Sequence, residues 1–503
     1  MIRFDDWRQR APRLQLALAV TLIALAMAAF TLSLPMLMLG AAILLVSAGL
    51  LLAVYDWRWS VCGLLLYIPF SGLSVIAFYP NDQLAVLVKD LLFVLPAYTA
   101  FILNTPIRKW VFPGAPVVAM TLFALLAIAD SFSPQSHSLL GSLIGLKVWL
   151  LYLPLLLLGY HLIDSRQRLT RILGLIALPA AFPATIAIAE AVLLYTGHSD
   201  AVHKLYGQAA LAAFQSFTAF EFFPGVFLPR VPSVFSFVTQ YFDYTYSALV
   251  AAYAWWRLTN HRLGIPLMAL LVLGLAVSGG RSVLFILPTL AILAGVLEGS
   301  LRRAVLVWGA MAVIGGGALF AVSRGQLASL VALMWTAGAQ DIVFVFFNRL
   351  VETLTGDPFG MGTGSATGAA RYALGAAQIV TQGNAESWWI KLIYELGPGG
   401  LVLMLVVIGR PLWHAIRFHL RLPSGGLRSV STGLLTFVLV TLVYSAKGSV
   451  IDLDPINVYF WLFLGFLAAL PKVALSGPGP AHEAIVLTPS WQERSGPAVA
   501  QSR

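Results

Sequence analysis

From Leu14 to Leu470 the chain is a succession of apolar runs, several close to the roughly 20 residues that cross a bilayer core. Only 10% of its 503 residues are charged, against about 25% in a soluble domain. That much apolar surface needs lipid as its solvent. The fold class this predicts is all-α, a polytopic integral membrane protein.

Hydropathy places about fourteen spans, near 14–34, 35–55, 59–79, 84–103, 115–130, 139–163, 172–195, 238–256, 263–279, 282–298, 304–322, 387–408, 429–446 and 455–471. Together they make one membrane domain, 1–475. The Pro-, Gly- and Ser-rich tail 476–503 has the composition of a disordered segment. Arg8, Arg10 and Arg13 give the first run the charge of a secretory leader. That run passes into a second with only Ser33-Leu34-Pro35 between them, however, which favours a retained hairpin over a cleaved signal.

The net charge of +10 does not point to nucleic acid, because the basic residues are scattered between apolar runs. With the N-terminus inside, the cytoplasmic segments hold Arg3, Arg8, Arg10, Arg13, Arg58, Arg108, Lys109, Arg166, Arg168, Arg171, Arg257 and Arg262. They also hold Arg302, Arg303, Arg410, Arg417, Arg421, Arg428, Lys472, Arg494 and Arg503, which makes twenty-one of the 31 Lys and Arg residues. The reverse orientation would violate the positive-inside rule at nearly every loop. Both termini are therefore expected in the cytoplasm of a bacterial-type inner membrane. The single cysteine, Cys62, lies inside a run and excludes an intrachain disulfide or a cysteine-based metal site.

This orientation puts two long loops outside, 196–237 and 323–386. In Leu205–Phe222 the apolar Leu205, Leu211, Phe214 and Phe217 mix with Gln208, Gln215 and Thr218, which suits a helix at the interface. Residues 327–354 look similar, with Leu330, Leu333, Met334, Val345, Phe346 and Leu350 at helical spacings. For most of these apolar residues, packing on the bundle is the simpler expectation.

Ionisable groups inside spans are costly and mark functional sites by default. Lys89, Asp90, Lys147, Glu190, Lys391 and Glu395 all map to the outer halves of their spans, which predicts a water-accessible cavity opening outward; snorkelling is the competing reading for Lys89 and Lys147. Three arginines stand apart from the cytoplasmic surplus: Arg230 in LPRVPSVFSFVTQYFDY, Arg281 in SGGRS, and Arg349 in FNRLVETLTGDPFGMGTGS. A guanidinium's planar fork matches phosphate oxygens, so an anionic ligand would explain cations on this side. Asp243, Glu352 and Asp357 are their alternative salt-bridge partners, with Asp243 and Asp357 also counted as substrate contacts. The stretch Gly356–Ser365 has the look of a phosphate cradle, although outer-loop glycines more often only make turns, and no strand–loop–helix context supports a nucleotide site. In NAESWWIKLIYELGPGG, Glu386 stands at the mouth of a span, where a carboxylate can act as general base. Trp388 and Trp389 beside it either stack on sugar rings or belong to an aromatic belt.

In their order these features resemble the O-antigen ligase and O-antigen/exopolysaccharide polymerase superfamily. Arg230, Ser278–Ser282 around Arg281, Arg349, Pro358-Phe359-Gly360-Met361-Gly362 and Glu395-Leu396-Gly397-Pro398-Gly399-Gly400 occupy its motif positions over roughly 220–470. Where ligases of that family carry a histidine, this chain has Glu386, followed by Ser387 in place of asparagine, which favours a polymerase over a ligase. The resemblance implies glycosyl transfer with inversion, with no cofactor and no metal. Donor and acceptor would be lipid-linked oligosaccharides on an undecaprenyl-diphosphate-type carrier, drawn from the membrane's outer leaflet. Arg230, Arg281 and Arg349 would neutralise the departing diphosphate, Glu386 would orient or deprotonate the acceptor hydroxyl, and Lys147, Trp388 and Trp389 would contact substrate. A flippase and a chain-length regulator are the partners such an enzyme would have. Two other functions compete: transfer to lipid A core or protein by the same fold, and a transporter or flippase. Against the transporter stand the large outer loops, the clean inner halves of the spans and the absence of an obvious internal duplication.

Overall fold

The computed structural model describes residues 56–79, 83–106, 110, 112, 114–133, 139–207, 220–223, 226–280, 282–300, 302, 309, 344–356, 358–367 and 387–476. Asp56 caps the first of these stretches by accepting the Arg58 amide at 3.0 Å. Helix α1 (Trp57–Tyr67) then runs through a 3-10 turn into α2 (Ser71–Phe78). The next stretch is α3 (Gln83–Lys89), a π-turn at Asp90–Val94, and α4 (Leu95–Asn104). After α5 (Val117–Asp130) come α6 (Leu139–Leu150) and α7 (Leu155–Leu162), joined by a short turn, then α8 (Arg166–Ala177), α9 (Ala181–Tyr195) and the short α10 (Ser199–Tyr206).

Beyond a two-stranded ribbon lie α11 (Val238–Thr259), α12 (Gly264–Val277), α13 (Val283–Glu298), α14 (Phe346–Thr355), α15 (Trp388–Arg421), α16 (Gly426–Tyr444) and α17 (Ile456–Leu475). Among the described residues, seven helical stretches are long and apolar enough to cross a membrane: Trp57–Phe78, Leu87–Asn104, Leu139–Leu162, Arg166–Tyr195, Trp388–Arg421, Gly426–Tyr444 and Ile456–Leu475. Val117–Asp130, Gly264–Val277 and Phe285–Glu298 are shorter apolar helices. The protein is a helical membrane protein. The expected spans 14–34 and 35–55, nearly all of 304–322, and the tail 477–503 lie outside the described residues.

Helix α11 is the central one, packed against α8, α12, α16 and α17. It carries Gln240, Asp243 and Arg257, so burial by its neighbours stands in for contact with lipid. Helices α7 and α17 approach at a pair of glycines: a Cβ on Gly159 would lie 2.7 Å from the Leu462 carbonyl oxygen, and one on Gly465 would overlap the Leu156 carbonyl. Small residues of this kind let backbones approach where no hydrophobic force drives helices together. Helix α15 outruns its expected span of 387–408. At 34 residues it is about 50 Å long, well beyond the hydrocarbon thickness. Its last turns carry Arg410, Arg417 and Arg421, and Arg417 lies over the Trp413 ring at 4.6 Å.

Basic residues gather at one end of the bundle. Arg257 donates to Ser429 Oγ at 2.9 Å, Arg428 to the Leu297 carbonyl, and Lys472 to the Tyr160 carbonyl. The opposite end holds the turns around Arg230, Ser282, Trp388 and Asp454.

Two loop expectations change. In the first loop the helix that begins at Ser199 ends at Tyr206, where Gly207 takes a positive φ of 55°; residues 208–219 of the stretch expected to be helical, Leu211, Phe214 and Phe217 among them, lie outside the described residues. Residues Phe220–Phe223 form a strand antiparallel to Val226–Leu228. In the second loop α14 is helical as expected, but none of its residues is buried. Phe347, Val351 and Leu354, at i, i+4 and i+7, expose one apolar face. Leu330, Leu333 and Met334 lie outside the described residues.

Candidate functional site

Two of the arginine-bearing turns meet. The Val231 amide donates to the Ser278 carbonyl at 3.1 Å. Gly279, with φ of 72°, presses its Cα hydrogen side against Pro229 and Arg230, and a Cβ there would sit 3.1 Å from Arg230 Cα. Behind the Arg230 turn stands Glu190, buried in α9. Its Oε1 accepts the Tyr206 hydroxyl at 2.8 Å and its Oε2 the Ser233 amide at 3.0 Å. Ser233 itself has φ of 54° and donates its hydroxyl to the Pro183 carbonyl at 2.7 Å. Glu190 thus serves as the acceptor that fixes a strained turn, which answers why a carboxylate is buried there.

On the far side, Ser282 Oγ pairs with the Tyr444 hydroxyl. Tyr444 lies within electrostatic reach of both Arg230 and Asp243. Asp243 is fully buried on α11, and among the described residues neither carboxylate oxygen meets a hydrogen-bond donor. Arg281 lies outside the described residues, but Gly280 and Ser282 on either side of it belong to this turn.

A second cluster joins α3, α6, α15 and the 445–455 turn between α16 and α17. Lys89 donates to the Tyr152 hydroxyl at 2.7 Å, and Tyr152 donates in turn to Asp90 Oδ1 at 2.6 Å. Lys89 stands 3.5 Å from Asp90 and 3.5 Å from Asp454, while Lys147 reaches Asp90 Oδ2 at 2.7 Å. Lys391 pairs with Asp452 and lies 4.7 Å over the Trp149 ring. Trp388 Nε1 donates to Asp452 Oδ1 at 2.8 Å. Burial pushes the Asp452 carboxyl above the usual carboxylate range although Lys391 pulls it down. Asp454 is likewise raised by burial, with Lys89 opposing.

The glycine-rich loop has its donors engaged. Glu395 is wholly buried. Its Oε2 accepts Trp149 Nε1 at 2.7 Å and the Gly364 amide at 3.0 Å. Its Oε1 accepts the Ala366 amide and the Thr367 hydroxyl, both at 2.9 Å. The Met361 and Gly362 amides bond to the Tyr394 and Glu395 carbonyls. The loop cradles an anion, but the anion is the chain's own carboxylate rather than a phosphate. Gly397, with φ of 66°, kinks α15 where a Cβ would come 2.6 Å from the Pro358 carbonyl oxygen. The Pro-Phe-Gly and Glu-Leu-Gly-Pro segments are therefore two halves of one packed feature.

Among the residues singled out from sequence, Arg230, Asp243, Lys147, Trp388 and Trp389 lie at this end of the bundle. Arg349 is on α14, whose helix contacts α15. Glu386 and Asp357 lie outside the described residues; Ser387, next to Glu386, caps α15 and donates to the Ser445 carbonyl. Trp388 is 1% exposed, with its ring edge-on to Trp389 at 4.9 Å and close to Trp149 at 5.8 Å. Its indole is committed to protein rather than open to a sugar. Trp389 is half-buried and donates to the Leu442 carbonyl at 3.1 Å.

Asp452, Asp454, Trp149, Tyr152 and Tyr444 were not legible as site residues. The one available signal was arithmetic: Lys89 and Lys391 inside spans need carboxylates, and the Asp-Leu-Asp run at 452–454 supplies two at the right end. No protein-family model matches the chain, and no curated protein matches it.

Proposed function

We propose that the chain polymerises lipid-linked oligosaccharide repeat units for an exopolysaccharide or O-antigen, with the Arg230 end of the bundle facing the extracytoplasmic side of a bacterial inner membrane. The acceptor sugar's hydroxyl oxygen bonds to the donor's anomeric carbon. The bond from that carbon to the carrier diphosphate breaks, and the diphosphate leaves with the electron pair. Arg230, Arg281 and Arg349 offset the charge of the departing group, an electrostatic stabilisation of the kind that dominates such reactions. Glu386 takes the hydroxyl proton, and direct displacement inverts the anomeric centre. The observation that carries this reading is the packing of the Arg230 turn on the Ser278–Gly280 turn, bridged to Tyr444 through Ser282. It gathers the backbone of two arginine-bearing motifs at one place, far from the basic end.

The test is Arg281→Ala. Polymer should disappear while the protein stays in the membrane at its normal level. Arg281→Lys should also be poor, because a point charge does not reproduce the bidentate fork, and Arg230→Ala should behave alike. Normal polymer from the Arg281→Ala strain would overturn the assignment.

A further inference from the structure

Four charged groups of the second cluster balance one another: Lys89 and Lys147 against Asp90 and Asp454. Such a group has no net charge with which to hold a diphosphate, in contrast to the arginine turns. Two of the four are sealed, Lys89 and Asp90 at 3% and 4% side-chain exposure, while Lys147 at 28% and Asp454 at 21% reach the open side. Beside Asp454 stands Tyr459, wholly buried and within its electrostatic reach. The Tyr459 hydroxyl has no hydrogen-bond partner among the described residues, nor has that of Tyr244, whose ring centroid is 6.1 Å away. More than nine in ten buried polar groups are paired in native proteins, so a bare phenol within reach of the part-open Asp454, itself backed by a second bare phenol, marks a place where polar groups come in from elsewhere.

We propose that Asp454, Lys147 and Tyr459 form the acceptor subsite, which binds the hydroxyl groups of an uncharged sugar. This rests on the glycosyl-transfer reading. A carboxylate that accepts, an ammonium that donates and phenols that do both can satisfy neighbouring hydroxyls, which carry donor and acceptor alike. The turn that bears Asp454 begins at Ser445, directly after Tyr444 of the arginine side. Acceptor and diphosphate subsites are thus joined by one short segment, and Lys89 and Asp452 with Lys391 hold that segment in place.

The experiment uses purified full-length protein and the lipid-free repeat-unit oligosaccharide released by mild acid from the host's own lipid-linked pool. Binding is followed by saturation-transfer NMR, and polymerisation of lipid-linked repeats is measured in parallel. Lys147→Met and Asp454→Asn should each weaken oligosaccharide binding by about tenfold or more, the usual effect of removing a charged hydrogen-bond partner. Because Asp454→Asn removes a counter-charge of buried Lys89, Lys89→Met/Asp454→Asn is made as well; it leaves the sealed Asp90 paired with Lys147. Wild-type affinity in Lys147→Met and in the folded double variant would overturn the subsite, as would a wild-type protein that binds no oligosaccharide. A wild-type protein that binds the sugar, loses it on these substitutions, yet never polymerises lipid-linked repeats would overturn the glycosyl-transfer reading and leave the subsite standing.

Discussion

Glu395 and Gly364, thirty-one positions apart, meet where the Gly364 amide donates to Glu395 Oε2 at 3.0 Å, and this contact anchors the second loop to the kinked start of α15. Trp149, Ala366 and Thr367 complete the carboxylate's ring of donors.

Glu395→Gln should therefore destabilise the protein. An amide has one acceptor oxygen for four donors, and its own N–H groups would face two of them. The loss of charge-assisted bonds with a buried donor left bare is worth about 2–4 kcal/mol. Thermal unfolding of purified protein would read it as a clear fall in midpoint. An unchanged midpoint would show that the loop is held elsewhere.

Gly364→Ala tests the same feature from the loop side. Gly364 has φ of 86°, and a Cβ would overlap the Gly141 carbonyl of α6. Gly145→Ala should act alike, because its Cβ would strike the backbone of residue 364. Limited proteolysis should find the loop cut faster in both variants, and equal cutting rates would refute the wedge.

Much of this was legible from sequence, and the physics says which part. The membrane-length helices follow from apolar runs of bilayer length, and the gathering of Arg257, Arg428 and Lys472 follows from loop charge. Arg230 and the Ser278–Ser282 turn could be named because a cation opposite the basic end requires a reason. What the sequence hid were pairings between distant segments. Nothing local to Lys391 names Asp452, and nothing in the glycine-rich loop says that Glu395 will take its amides. The strand at 220–223 was hidden as well, since short runs of phenylalanine fit a helix or a strand equally well.

Asp452→Asn should destabilise the protein, because both carboxylate oxygens accept, from Trp388 Nε1 and from Lys391 Nζ, and an amide offers a single acceptor oxygen. Lys391→Met/Asp452→Asn should recover most of that, and a double variant no better than the single would deny the coupling. The pH dependence has a definite sign. Burial holds the folded carboxyl above its unfolded value of about 3.9. Asp452 thus contributes stability below that value and loses it as pH rises through the folded one. Unfolding followed from pH 4 upward should show this decline in the wild type and a shallower one in the double variant.

Orientation is testable at positions the structure leaves open. In a Cys62-free background, Phe359→Cys, at 81% exposure beside the glycine-rich loop, should react with an impermeant thiol reagent from outside the cell. Leu263→Cys, exposed at the basic end of α12, should react only after the membrane is opened. Labelling of residue 359 from the cytoplasmic side alone would put the arginine turns on the wrong face for a lipid-linked donor and end the proposal.

Glu386 carries the remaining chemistry. In sequence it precedes Ser387, which caps α15 by accepting the Ile390 amide and ties the helix start to the Ser445 turn. Capping is already performed by Ser387, which removes the simplest structural role for the neighbouring carboxylate. Glu386→Gln keeps size and hydrogen bonding but removes the base. A general base typically contributes about 10²–10⁴-fold in rate, so the variant should lose most turnover with lipid-linked repeats while binding donor as before. Polymerisation at the wild-type rate, with stability unchanged, would shift the proton acceptor to a carboxylate the structure does place at this end, Asp243 beside Tyr444 or Asp454 beside Tyr459.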